Sequence, residues 1–181
     1  EVDLFRTFDR FPYSPRSLNC VPIFASNMDT TGTFRMSDAL MDRDWMTCLH
    51  KHYCNNELND YYTLASTVDI PYLSRVMNCA WYSMGINKSD IDKLVSFISN
   101  TGFHPNLCVD VANGYTDYFV DSLAKIRQVS PDSIIMAGNV ATAEMVERII
   151  RQGKADIVKV GIGPGSVCTT RLVTGVGYPQ L

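Results

Sequence analysis

From about residue 20 onward, short apolar runs alternate with stretches whose apolar residues recur at helical spacing. Runs at 21–25, 45–49, 73–80, 107–111, 134–137 and 157–162 are short and apolar on both faces, which predicts buried parallel strands. Helices are expected between them at about 33–41, 56–66, 89–100 and 116–128. A fifth follows residue 139, turns Met145, Val146, Ile149 and Ile150 inward and ends at Gly153. The helix at 89–100 carries the clearest signals. Ser89 and Asp92 have capping-box spacing, Ile91, Leu94, Val95 and Ile98 form one apolar face, and Asn100 and Gly102 stop it. On the last helix, Glu144 with Arg148 and Glu147 with Arg151 are spaced for i, i+4 ion pairs. Residues 1–19 are polar and aromatic, and Pro12 and Pro15 interrupt them, so they are expected to form a surface entry segment.

Six apolar strands separated by five helices form parallel β/α units. Polar residues gather just past the strand ends: Asn27 and Asp29, Lys51, Asp110 and Asn113, Asn139, then Cys168. A doubly wound sheet collects ligands at one or two strand ends near a switch point, whereas a (β/α)8 barrel uses its whole C-terminal face. Five such ends favour the barrel. Since a barrel needs eight strands and about 250 residues, residues 1–181 are expected to form one incomplete barrel domain with six of the eight units.

Composition narrows the function. The chain has 181 residues and a formal net charge of −3, with no basic footprint for nucleic acid. No apolar run approaches the ~18 residues that cross a bilayer, and the first residues do not resemble a signal peptide; a soluble, cytoplasmic protein is expected. Six cysteines fall at 20, 48, 54, 79, 108 and 168 with no C-x-x-C pair, which suggests free thiols. Cys48, His50, His52 and Cys54 alternate and are all zinc-ligand types. On an extended strand, however, they would spread over roughly 20 Å, too far for one ion, and a strand end presenting a functional Lys51 is the preferred reading.

The stretch at 161–181 organises the rest. Gly161, Gly163 and Gly165 recur at every second position around Pro164, a backbone able to turn peptide groups toward a ligand. Cys168 follows among Ser166, Thr169, Thr170 and Arg171. A nearby cation and backbone donors favour the thiolate, the nucleophilic form; a small buried cysteine in an ordinary loop is the alternative.

This loop closely resembles the cysteine loop shared by GMP reductases and IMP dehydrogenases. DVANGY at 110–115 and HKHY at 50–53 resemble GMP reductase in particular, and EVDLFRTF, NMDTTGTF, MAGNVAT and YPQL extend the similarity over nearly the whole chain. The resemblance implies NADPH-dependent reductive deamination of GMP to IMP and ammonia. Cys168 matches the nucleophile that attacks carbon 2 of the purine to form a covalent thioimidate. Thr170 matches a proton relay whose glutamate partner belongs to a second half not in this sequence. Lys51, Asp110 and Asn139 match positions around the nicotinamide and the purine, with Val111, Ala112, Ile162 and Gly163 also toward the cofactor. Asn27, Asp29 and Ser166 are expected on the substrate side with Cys168. Gly163, Gly165, Cys168 and Arg171 match positions whose carbonyls hold a monovalent cation, expected to be potassium, and family members are tetramers. Compared with the family, the sequence starts after an N-terminal segment and stops near the midpoint. NCAWYSMGIN at 78–87 departs from the Ser- and Gly-rich family pattern, setting Trp81 and Tyr82 where a cofactor is expected to pass. Lys154 resembles a one-residue insertion in a surface turn. IMP dehydrogenase, with NAD and IMP, and a non-catalytic nucleotide-binding or interaction fragment are the alternatives.

Overall fold

The computed structural model describes residues 2–178; Glu1 of EVDLFRTF and the last three residues of YPQL lie outside them. Two short strands, β1 (Arg6–Phe8) and β2 (Leu18–Cys20), pair antiparallel. There follow β3 (Phe24–Ala25), α1 (Phe34–Met41), β4 (Met46–Cys48), α2 (Asn55–Val68), α3 (Ile70–Cys79), β5 (Ala80–Met84) and α4 (Lys88–Thr101). The rest is β6 (Asn106–Asp110), α5 (Asp117–Val129), β7 (Ile135–Val140), α6 (Ala143–Arg151), β8 (Ile157–Val160) and a short α7 (Thr170–Thr174).

Strands β3 to β8 form one parallel sheet in strict chain order. A doubly wound sheet would reverse order at a switch point; here nothing reverses, as in a barrel wall. The two faces of the sheet carry separate cores. Ala80, Tyr82, Met84, Leu107, Val109, Ile135 and Ala137 pack outward under the helices with Leu94, Phe97, Phe119, Leu123 and Ile149. Met46, Cys48, Trp81, Cys108 and Met136 face the barrel interior and pack there with Phe11 and Leu18 of the entry segment and with Cys20. The fold is an α/β barrel wall of six strands.

Two sequence expectations need correction. Residues 73–79 are not strand: they lie in α3, and β5 begins at Ala80. The Asp69 carboxylate accepts from the Tyr72 N–H at 2.6 Å and Pro71 sits in the first turn, a helix start that the apolar run concealed. Asp69→Ala should therefore cost about 1 kcal/mol, read as a lowered denaturation midpoint. The entry segment, for its part, contains the β1–β2 pair, and its residues 13 and 14 are fastened to the barrel. Tyr13 and Ser14 N–H groups donate to the Asp156 carboxylate at 3.0 and 3.1 Å.

Smaller shifts have local causes. In α4 the capping box is Asn87 with Asp90, two residues before the expected pair, and Phe97 is buried while Val95 is exposed. Gly102 ends that helix in the left-handed region, at φ 72°. Arg148 pairs with Asp117 on α5 instead of Glu144, whereas Glu147 and Arg151 do pair, at 3.1 Å. Lys154 also takes a positive φ, and its carbonyl accepts from the Arg127 guanidinium at 3.2 Å. No helix among the described residues is long and apolar enough to cross a membrane.

Candidate active site

At the C-terminal ends of the strands lies a cleft of about 510 Å³, within the size range of small-molecule sites. Lys51 enters it from the loop after β4, and Gly85, Ile86 and Asn87 from the loop after β5. Asp110, Val111 and Ala112 follow from β6, Asn139 from β7, and Ile162, Gly163 and Thr170 from the segment after β8. Eight of these residues were expected on sequence grounds to serve catalysis or cofactor binding. The three after β5 were missed because the strand was placed too early; with β5 at 80–84, its end points to them directly.

The backbone explains how the loops converge. Val111 N–H donates to Gly138 O at 2.9 Å, Asn139 N–H to Val111 O at 3.1 Å, and Gly114 N–H to Asn139 O at 3.1 Å, so the ends of β6 and β7 are stitched together. A Cβ on Gly114 would stand 2.7 Å from Val140 Cγ1 and 2.8 Å from Asn139 O, which is why this approach requires glycine. Asn113 accepts from Tyr115 N–H at 3.0 Å and closes the turn.

Each polar group has a definite electrostatic setting. Asp110 Oδ1 lies 2.5 Å from the Lys159 ammonium. Burial alone would lower the Lys159 pKa, but the thiol of Cys108 and the Asp110 carboxylate outweigh it and hold it raised. Lys159 was not among the sequence candidates; the signal was a lysine at an inward position of the apolar IVKV strand. Asn139 Nδ2 donates to Gly161 O at 2.8 Å, while its buried Oδ1 has no partner among the described residues. Lys51 is exposed and makes no hydrogen bond or ion pair among the described residues.

Cys168 stands at the cleft rim with Sγ 3.3 Å from Thr170 Oγ1. The thiol donates to Thr170 Oγ1; once the sulfur is ionised, the Thr170 hydroxyl and then its backbone N–H stabilise the thiolate and lower the pKa, and the charge of Arg171 acts in the same direction. Gly163 takes the left-handed region at φ 54°, and a Cβ there would stand 3.2 Å from Arg171 Cγ and 3.3 Å from Thr170 Cβ, the residues that follow Cys168. Cys20 and Cys79 are pushed the other way, each to about 11, first by burial. Alkylation of Cys168 by iodoacetamide, followed on its own peptide, should therefore rise with pH and level off below the range of an ordinary thiol. Thr170→Val is expected to move that midpoint to higher pH; an unmoved midpoint would contradict the pairing.

Other candidates lie apart. Asn27, Asp29 and Ser166 do not line the cleft, and Asp29 instead meets His52 Nε2 at 3.3 Å. Trp81 and Tyr82 do not obstruct it. Trp81 is fully buried in the barrel interior against Phe24, with Nε1 donating to Asn78 O at 3.1 Å, and Tyr82 packs outward on Phe97. The CLHKHYC residues also diverge: Cys48 is buried inside the barrel, His50 stacks on Tyr53, and Cys54 caps α2 from an exposed position. Of the carbonyls expected around a monovalent cation, Gly165 O accepts from Cys168 N–H and from the Arg171 guanidinium, both at 3.1 Å, and Arg171 O accepts from Gly175 N–H at 3.1 Å.

The geometry can be compared with known proteins. Residues 15–181 match the model of the IMP dehydrogenase / GMP reductase domain. The chain belongs to this family. It is 48% identical over its whole length to a GMP reductase of Yersinia enterocolitica and 47% to one of Buchnera aphidicola, covering 50% and 49% of them respectively. It therefore spans about half the length of the curated relatives it matches. The crystal structure of an inosine 5' monophosphate dehydrogenase from Legionella pneumophila superimposes with a TM-score of 0.73 at 30% identity, over 91% of this chain and 46% of that one. Family membership agrees with the barrel wall and with a cysteine loop following its last strand.

Proposed function

We propose that this chain carries the nucleophile and the cofactor-facing wall of a GMP reductase, which converts GMP to IMP and ammonia with NADPH. One observation above all supports the reading. Lys51, Asp110, Asn139 and Thr170, from four different strand ends, line one cleft, with the Cys168 thiol 3.3 Å from Thr170 at its rim.

In this reading the Cys168 thiolate adds to carbon 2 of the purine, the carbon–nitrogen bond to the exocyclic amine breaks, and a proton leaves with it as ammonia. Thr170 fits the role of passing that proton, because its hydroxyl already touches the sulfur. Bound NADPH supplies the hydride that reduces carbon 2, after which the carbon–sulfur bond breaks to release IMP and regenerate the thiolate. The residues present fit that cofactor. Asn139 Oδ1, without a partner among the described residues, would accept an N–H of such a cofactor, the peptide groups of Val111 and Ala112 would line its wall, and the Lys51 ammonium would complement an anionic group. Asp110, held by Lys159, keeps a fixed carboxylate for a hydroxyl. No step is routed through a monovalent cation.

IMP dehydrogenase is the second reading, favoured by the structural likeness at 30% identity. Whole-chain identities of 47–48% to GMP reductases weigh against it. The six free cysteines support a reducing, cytoplasmic setting, and the wider resemblance supports a homotetramer. The test is an assay of the protein as its own cells make it. NADPH oxidation that depends on GMP is expected; NADH formation from IMP and NAD would replace this reading with the other, and neither activity would favour the non-catalytic one.

A further inference from the structure

Lys51 sits in the loop between β4 and α2, in a turn at residues 51–52. Stacked rings flank this turn. Tyr53 lies between His50 and Phe34, with centroids 3.9 Å away on both sides and interplanar angles of 17° and 16°. Phe34 stacks in turn on Tyr61 at 4.4 Å, so four rings from the loop, α1 and α2 form one column. Polar contacts fix the same residues. Phe34 N–H donates to Tyr53 Oη at 3.2 Å, Lys93 Nζ donates to Tyr53 O at 3.1 Å, and Tyr61 Oη donates to Asp38 at 2.8 Å. On the near side, His50 N–H donates to Gly32 O at 2.7 Å, where a Cβ on Gly32 would stand 2.3 Å from Cys48 O.

We propose that this column fixes Lys51 in the cleft, and that Tyr53 is a positioning residue acting through Lys51. The inference rests on reading the cleft as a GMP reductase site. Lys51 has no partner among the described residues to orient it, so its placement depends on its backbone, which residues 50 and 53 clamp from both sides. A misplacement of about 1 Å at such a group costs on the order of 10²-fold in rate. Tyr53→Phe keeps the ring contacts and loses only the phenol acceptor; Tyr53→Leu loses the column.

Two measurements on the full-length protein test this. In Tyr53→Leu, hydrogen exchange of the His50 amide should quicken about tenfold while the amides of β5 to β8 stay as in the unaltered protein. Its kcat should fall by about 10²-fold, Tyr53→Phe should recover most of it, and Tyr53→Leu with Lys51→Met together should be no worse than Lys51→Met alone. Unchanged exchange at His50 overturns the clamp whatever the activity. Faster exchange with unchanged kcat, or a double variant far worse than Lys51→Met, overturns the action through Lys51. Unaltered protein that oxidises no NADPH with GMP overturns the functional reading, and the exchange result then decides the clamp alone.

Discussion

Cys168→Ala is expected to reduce GMP-dependent NADPH oxidation by at least about 10⁴-fold, because it removes the atom that forms the covalent bond. The loop should remain folded around the change. Cys168 Sγ contacts Thr170 at the surface of the loop, and the neighbouring Gly165 carbonyl keeps its bond from the Arg171 guanidinium at 3.1 Å. The variant should therefore still bind NADPH, measured by fluorescence titration, while turnover is lost. Activity within tenfold of the unaltered protein would move the nucleophile elsewhere. Cys54, the other thiol not buried in the fold, would then be examined first.

Asp156→Ala is expected to have the largest effect on stability. The carboxylate is fully buried and accepts four hydrogen bonds, from Tyr13 and Ser14 N–H, from Ile135 N–H at 2.9 Å and from Arg127 Nη2 at 2.5 Å. It thus ties the entry segment, β7 and α5 to the start of β8. Removing it leaves a nearly buried guanidinium without its counter-charge, a change that costs about 3–5 kcal/mol. Urea denaturation should show the midpoint shift, and Asp156→Asn should lie between the two. A shift in the range of an ordinary surface substitution would mean that the entry segment is not anchored there.

Some of this was legible in the sequence. Wherever an apolar run was short and its helix had one apolar face, as with β6, α5, β7 and α6, the order and type of element followed from periodicity alone. The run at 73–80 misled because, although Leu73, Val76 and Met77 have the i, i+3, i+4 spacing of a helix face, the deciding Asp69 and Pro71 lie before it. That one misplacement hid both the harmless burial of Trp81 and the contribution of Gly85, Ile86 and Asn87 to the cleft. Lys51, Asp110 and Asn139 could be picked out because they follow strand ends and match positions of the family that the chain resembles. Asp156 and the ring column could not: each depends on which residues of distant segments meet, and sequence spacing carries no such information. The zinc-like alternation at 48–54 shows the converse, residues close in sequence that the fold sends in different directions.

The central claim is a covalent bond between Cys168 and carbon 2 of GMP. The most direct measurement incubates the protein with GMP without NADPH, quenches it in acid and maps the modified peptides by mass spectrometry. The expected result is an adduct of GMP less ammonia on the peptide carrying Cys168, absent in Cys168→Ala and reduced in Thr170→Val. An adduct on another cysteine, or steady NADPH oxidation by a protein that forms none, would contradict it.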